Sequence, residues 1–186
     1  MRTYRIAVVV GSLRRDSINK KLATALEGMA PEDFAFAYSE IGDLPLYNQD
    51  DDANPAESVQ RLKAEARAAD GLLFVTPEYN RSFPGVLKNA LDHASRPYGH
   101  NAWAGKPGGI IGASIGAQGT AVAQQHLRGV LTYLDVPLLG QPEAFLHVKE
   151  GFFEADGRIA EGSRKFVQGW MDKYAAWVRA LAKPRE

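Results

Sequence analysis

The 186-residue chain contains no cysteine. That excludes disulfides, thiolate metal sites and a cysteine nucleophile. It also lacks a charge surplus, because 22 Lys and Arg balance 22 Asp and Glu. A basic excess would have pointed to nucleic acid, and an acidic one to a disordered or carrier-like surface. No apolar run is long enough to span a bilayer, and the N-terminus lacks a signal-peptide pattern. Repeats and low-complexity segments are missing too. The four histidines, His93, His100, His126 and His147, are scattered without ligand spacing. The expectation is therefore no metal, with these rings at the surface or an interface. With 45% apolar residues the chain can bury a proper core. A single cytoplasmic domain spanning 1–186, with neither nucleic-acid nor membrane partners, is the starting expectation.

What is present is an alternation of strands and helices. "RIAVVV" is a β-branched run suited to a strand buried on both faces. Ile18, Leu22, Ala25, Leu26 and Met29 then recur at helical spacing until Pro31. "FAFAYSEI" reads as a second strand, followed by a long polar loop over 43–57. Val59, Leu62, Ala66 and Ala69 mark the second helix, and "GLLFVT" the third strand. Pro84 suits the first turn of a third helix with Leu87, Ala90, Leu91 and Ala94 on its apolar face. "GGIIGAS" is the fourth strand; Ala123, Leu127, Val130, Leu131 and Leu134 line the helix after it. A short fifth strand is expected within "VPLLG" or "AFLHV". The last helix carries Phe166, Val167, Trp170, Met171, Tyr174, Trp177, Val178 and Leu181. Trp170, Tyr174 and Trp177 keep helical spacing and read as core. Such a pattern predicts an α/β fold, a five-stranded parallel sheet between two helical layers. Ligands of such sheets bind beyond the carboxyl ends of the strands, here at Gly11, Pro77 and Ser114–Gly116.

Three loops meet that edge. In "GSLRRDSIN" two arginines precede a helix, whose N-terminus carries partial positive charge and unpaired N–H groups. Positive side chains there make sense around an anion. Ser12, Ser17 and Asn19 add short polar groups, and the Arg14 fork suits phosphate oxygens, so the loop describes a phosphate monoester site. An equal reading is that Ser17 only caps the helix while Arg14 and Arg15 face water. The loop is neither GxGxxG nor GxxxxGK[ST], which disfavours a dinucleotide site and a P-loop. In "TPEYNRSFPG", Tyr79 offers a flat amphipathic surface, and backbone beside Glu78 and Asn80 suits a heterocycle edge; a plain turn set by Pro and Asn is the alternative. In "SIGAQGT", Gly116 and Gly119 allow close backbone approach, or simply serve a tight turn. A phosphate at one loop and a planar polar ring at two describe flavin mononucleotide.

These stretches, with "LPLYNQD", "TPEYNRSFPGVLKNALD", "GKPGGIIGASIGAQG" and "HLRGVL", resemble the NADPH-dependent FMN reductase family. The resemblance is to its chromate and quinone reductase members in particular, and spans residues 6 to about 145. It implies a flavodoxin-like, doubly wound fold. It places phosphate contacts on Ser12, Arg14, Ser17 and Asn19. Isoalloxazine contacts fall on Pro77, Glu78, Tyr79 and Asn80, with Ser114, Gly116 and Gly119 opposite. Two features depart from the family pattern: Thr120 follows Gly119 where a second glycine is usual, and Arg81 stands where some relatives carry Tyr. Relatives form homodimers and homotetramers, and Arg128 and Glu143 resemble residues paired across their interfaces. A solvated arginine and glutamate is the alternative for that pair.

The implied activity is electron transfer from NADPH or NADH through FMN to quinones or similar small-molecule acceptors, chromate, azo dyes and free flavin included. The mechanism would be ping-pong, with flavin-borne chemistry and no catalytic side chain. Backbone N–H groups around Gly116–Gly119 would stabilise negative charge on the reduced ring. A flavodoxin-type electron carrier without its own substrate is the competing reading, although flavodoxins are typically acidic. A phosphatase of this architecture needs a cysteine, and a receiver domain needs an Asp where Thr76 and Pro77 stand. Tyr47, Phe83, Tyr98 and Trp103 are expected in loops, at a subunit interface or above the ring. For an NADPH-specific 2′-phosphate, Arg15, Arg81 and Arg96 are the candidates.

Overall fold

A computed structural model describes residues 2–184. Its elements are β1 (Tyr4–Val10), α1 (Ile18–Glu27), β2 (Phe34–Tyr38), α2 (Glu57–Ala68), β3 (Gly71–Val75), α3 (Gly85–Ser95), β4 (Gly108–Ser114), α4 (Ala121–Tyr133), β5 (Phe145–His147) and α5 (Glu161–Leu181). A single 3-10 turn, Gln49–Asp51, interrupts the long polar loop. The five strands pair in parallel in the order β2-β1-β3-β4-β5. This is the flavodoxin-like arrangement expected from the alternation.

The side-chain alternation of the central strands explains the three layers. Ile6 and Val8 of β1, with Leu73 and Val75 of β3, point into one core against Leu22 and Leu26 of α1 and Trp170 and Tyr174 of α5. Ala7 and Val9, with Leu72 and Phe74, point the other way against α2, α3 and α4. A strand flanked by two apolar layers needs no polar face, which is why "VVV" and "LLFV" run unbroken. In β4 the layer is so tight that only glycine fits: a Cβ on Gly109 would lie 2.6 Å from the Tyr174 ring. Tyr174 in turn stacks on Trp170, ring centroids 5.5 Å apart.

Several expectations move. The fifth strand is Phe145–His147, within "AFLHV", while Leu138 of "VPLLG" makes an isolated parallel bridge to Gly108 at the start of β4. Pro84 is the cap preceding α3 rather than a residue of its first turn. Trp103, expected at an interface or over the ring, is fully buried. Its indole donates to the Leu91 carbonyl at 3.1 Å and its ring meets Phe74, so it is core. His93, expected at a surface or interface, is buried, with Nε2 2.9 Å from the Pro45 carbonyl oxygen. Phe166 is half exposed, outside the apolar face of α5.

Candidate cofactor site

Register brings the three loops together. Val10 pairs with Val75 and Val75 with Ile111. Beyond them, Gly11 N–H donates to Val75 and Thr76 N–H to Ile111. The chain therefore leaves β1, β3 and β4 side by side at one edge.

In the first loop the Ser17 hydroxyl accepts from Asn19 N–H at 3.2 Å and Lys20 N–H at 3.3 Å, so it caps α1. No backbone N–H from Leu13 through Asp16 has a partner within the described chain, while the Arg14–Ser17 turn closes on the Ser17 N–H. Four successive N–H groups beside a helix N-terminus with no acid in its first turn form an anion cradle. Arg14 is exposed and makes only a 3.5 Å contact to the Asp16 carbonyl, so its fork is free. Ser12 is buried at the base of the loop. Asn19 departs from expectation. Its side-chain amide is exchanged with the backbone of Ala113, 2.9 Å in each direction, which ties α1 to β4. A buried amide spent on the sheet builds the site's frame rather than holding a phosphate.

The second loop turns tightly. Tyr79 and Ser82 exchange backbone bonds of 2.8 and 3.0 Å, and Asn80 (φ 51) and Arg81 (φ 64) are both left-handed. That is the backbone of a type I′ turn, easy for Asn and costly for Arg, and such strain is typically stored at functional loops. The turn leaves the Tyr79 ring half exposed. The Glu78 carboxylate does not reach outward. Its Oε2 accepts from Val122 N–H at 3.1 Å and Ala123 N–H at 3.0 Å, capping α4. Thr120, at the cap position itself, provides no such bond. Oε2 of Glu78 is thus committed to α4.

In the third loop the Ser114 hydroxyl accepts Gly116 N–H at 3.1 Å. Gly119 has φ 59, and a Cβ there would lie 2.6 Å from the Phe145 carbonyl carbon. The tight-turn reading therefore holds for Gly119. A Cβ on Gly116 would instead meet only the Ser114 hydroxyl, at an ordinary 3.5 Å. Ala117 and Gln118 N–H groups have no partner among the described residues, whereas the next free donors of α4 are taken by Glu78. Arg81 hydrogen-bonds Gln118, joining the second and third loops. Nothing local signals either cross-link: Glu78 lies 44 residues before the helix it caps.

Elsewhere, Arg128 and Glu143 meet within one chain. Nε of Arg128 lies 3.4 Å from Glu143 Oε1 but is not aimed to hydrogen-bond it, while Arg128 also donates to the Leu139 carbonyl at 3.0 Å. A cavity of about 770 Å³ runs between α3 and α4, and Tyr98 and Tyr133 on its wall are 86% and 83% exposed. Among the described residues no cluster of His, Asp and Glu could hold a metal ion, and no helix is long and apolar enough to cross a membrane.

Residues 4–151 match the family model of NADPH-dependent FMN reductases. A 2-hydroxy-1,4-benzoquinone reductase of a Burkholderia species is 60% identical over 176 residues, 94% of this chain and 96% of that one. A quinone reductase of Pseudomonas putida is 49% identical over 95% of each chain. Among solved structures, FerB, a flavoenzyme NAD(P)H:(acceptor) oxidoreductase from Paracoccus denitrificans, superposes with a TM-score of 0.94 at 43% identity, covering 97% of this chain and all of that one.

Proposed function

This chain belongs to the NADPH-dependent FMN reductase family, and from that premise we propose a ping-pong NAD(P)H:quinone oxidoreductase whose donor and acceptor take turns at one open face. Its cofactors are FMN and NAD(P)H, and it is an enzyme, which sets the carrier reading aside. The observation that carries the site assignment is the run of unpaired N–H groups from Leu13 to Asp16 beside the free Arg14 fork, at the sheet edge where the other two loops converge.

Bound FMN supplies hydride acceptance and onward electron transfer. The residues do the rest. Leu13–Asp16 N–H groups, the Ser12 and Ser17 hydroxyls and Arg14 would hold the phosphate; Asn19 keeps α1 fixed on β4. The backbone of Pro77–Asn80 and the Tyr79 ring would bind the flavin ring from the second loop. Ala117 and Gln118 N–H groups, with Ser114 and Gly116, would bind it from the third loop and offset negative charge there. No side chain need move a proton.

A quinone is the acceptor class we assign, with chromate, azo dyes and free flavin as further acceptors open to an accessible ring. A cytoplasmic homodimer or homotetramer is our reading of the assembly. The exposed Tyr98 and Tyr133 along the α3–α4 cavity are suited to a second copy, and the Arg128–Glu143 pair is a further candidate contact.

The visible spectrum before and after anaerobic NADPH tests the whole. A flavin spectrum bleached by NADPH and restored by a quinone is the expected result. A bound flavin indifferent to both nicotinamides would overturn the reductase assignment; failure to take up added FMN would overturn the three-loop site.

A further inference from the structure

A second, unassigned groove of about 390 Å³ runs along the outer side of α1. Arg15, Lys20, Lys21, Arg158 and Arg164 line it against one carboxylate, Asp156. On a chain of zero net charge this is a local concentration of positive charge. The groove floor is apolar, formed by Ala25, Met29 and the buried Ile159. Its walls are fixed. Ala25, Met29 and Ile159 pack with the α1–α5 core. The 152–160 turn is bonded to itself through Glu154 N–H to the Arg158 carbonyl (2.8 Å) and Ala160 N–H to the Phe152 carbonyl (3.0 Å). Gln168 of α5 donates to the Met29 carbonyl at 3.1 Å. Arg158 is held at the rim by Glu154 at 3.0 Å and Asp156 at 2.7 Å. Arg15, Lys21 and Arg164, by contrast, have no side-chain partner among the described residues.

The groove is not the phosphate cradle. It shares Arg15 and Ser17 with the first loop but extends to Gly28 and Met29, about 16 Å further along the helix axis. Surface cations facing only water would need neither a concavity nor an apolar floor between them. We propose that this groove binds a small organic anion with a flat apolar body and one acidic head group, the body on Ala25, Met29 and Ile159 and the head between Lys21 and Arg164. A carboxylate and a phosphate ester share that chemistry.

Equilibrium dialysis of the FMN-saturated protein against 2-naphthoate and 2-naphthyl phosphate is the test. One saturable equivalent is expected outside the flavin site. Tighter uptake of the ester assigns a phosphate head, and tighter uptake of the acid assigns a carboxylate. The double variant Lys21→Glu/Arg164→Glu should weaken binding about tenfold or more through charge alone. Gly28→Phe should do so sterically, since Gly28 has helical backbone angles and a Cβ there would make only ordinary contacts, 3.6 Å or longer. The two variants act by unrelated means, so one remains readable if the other misfolds. Absence of saturable binding, binding unchanged in both variants, or equal uptake of neutral 2-naphthol would overturn the proposal.

Discussion

Tyr174 is fully buried, and its hydroxyl has no hydrogen-bond partner among the described residues. Burial pushes its pKa well above the ordinary tyrosine value. An unsatisfied hydroxyl costs stability while the ring, stacked on Trp170, contributes it. Tyr174→Phe should therefore leave the urea midpoint unchanged or raise stability by up to about 1 kcal/mol. A drop beyond about 1 kcal/mol would mean that the hydroxyl is satisfied in solution. Arg14 is the opposite case, an exposed residue whose only contact is long. Arg14→Ala should keep the thermal midpoint and weaken FMN binding by about ten- to a hundredfold, the scale of a charge-assisted bond. Isothermal titration of the apoprotein with FMN reads this directly, and unchanged affinity would remove Arg14 from the phosphate site. At this scale sequence reasoning read the Ser17 helix cap, because helix-start chemistry is local. It misread Asn19, Trp103 and His93, whose partners Ala113, Leu91 and Pro45 are fixed only by the tertiary fold.

Among the elements, α4 depends on a residue it does not contain. Glu78 supplies the acceptor for its first turn from another loop. Glu78→Ala leaves two helix-start N–H groups without that partner and should cost about 1–2 kcal/mol in urea unfolding, with weaker FMN binding. Glu78→Gln, which keeps an acceptor oxygen, should recover most of the stability. If both variants bind FMN as well as the parent, the cap does not shape the ring site. The 3.6-residue pattern made the helices legible, and unbroken apolar, β-branched runs marked the central strands. The short β5 was placed only to within two segments, because three residues carry no period and both segments touch β4.

For the whole molecule, the alternation of strands and helices fixed the sheet, and three modest loop signals form one candidate site because the strand order brings their ends together. How a second copy sits is not written in one chain's pattern. Tyr133→Glu, at an 83% exposed position, should leave the monomer folded and shift sedimentation to a smaller species if α3 and α4 meet a partner there. Closure of the chain also has a pH signature. Arg179 of α5 hydrogen-bonds Asp33 at 2.6 Å ahead of β2, holding that carboxyl below its ordinary value. A lowered carboxyl pKa contributes stability above the unfolded value of about 4, lost as pH falls through the folded one. With Arg179 42% exposed, the contribution stays under about 1 kcal/mol. Asp33→Asn should thus lower the urea midpoint slightly at neutral pH and match the parent once the parent's Asp33 is protonated in acid.

The cross-links from Glu78 to α4 and from Arg81 to Gln118 also bear on recombination between relatives. A chimera that takes the second loop from one parent and the third from another inherits half of each contact. Crossovers between residues 82 and 117 should therefore yield poorly loaded hybrids, while crossovers after 123 carry both halves together.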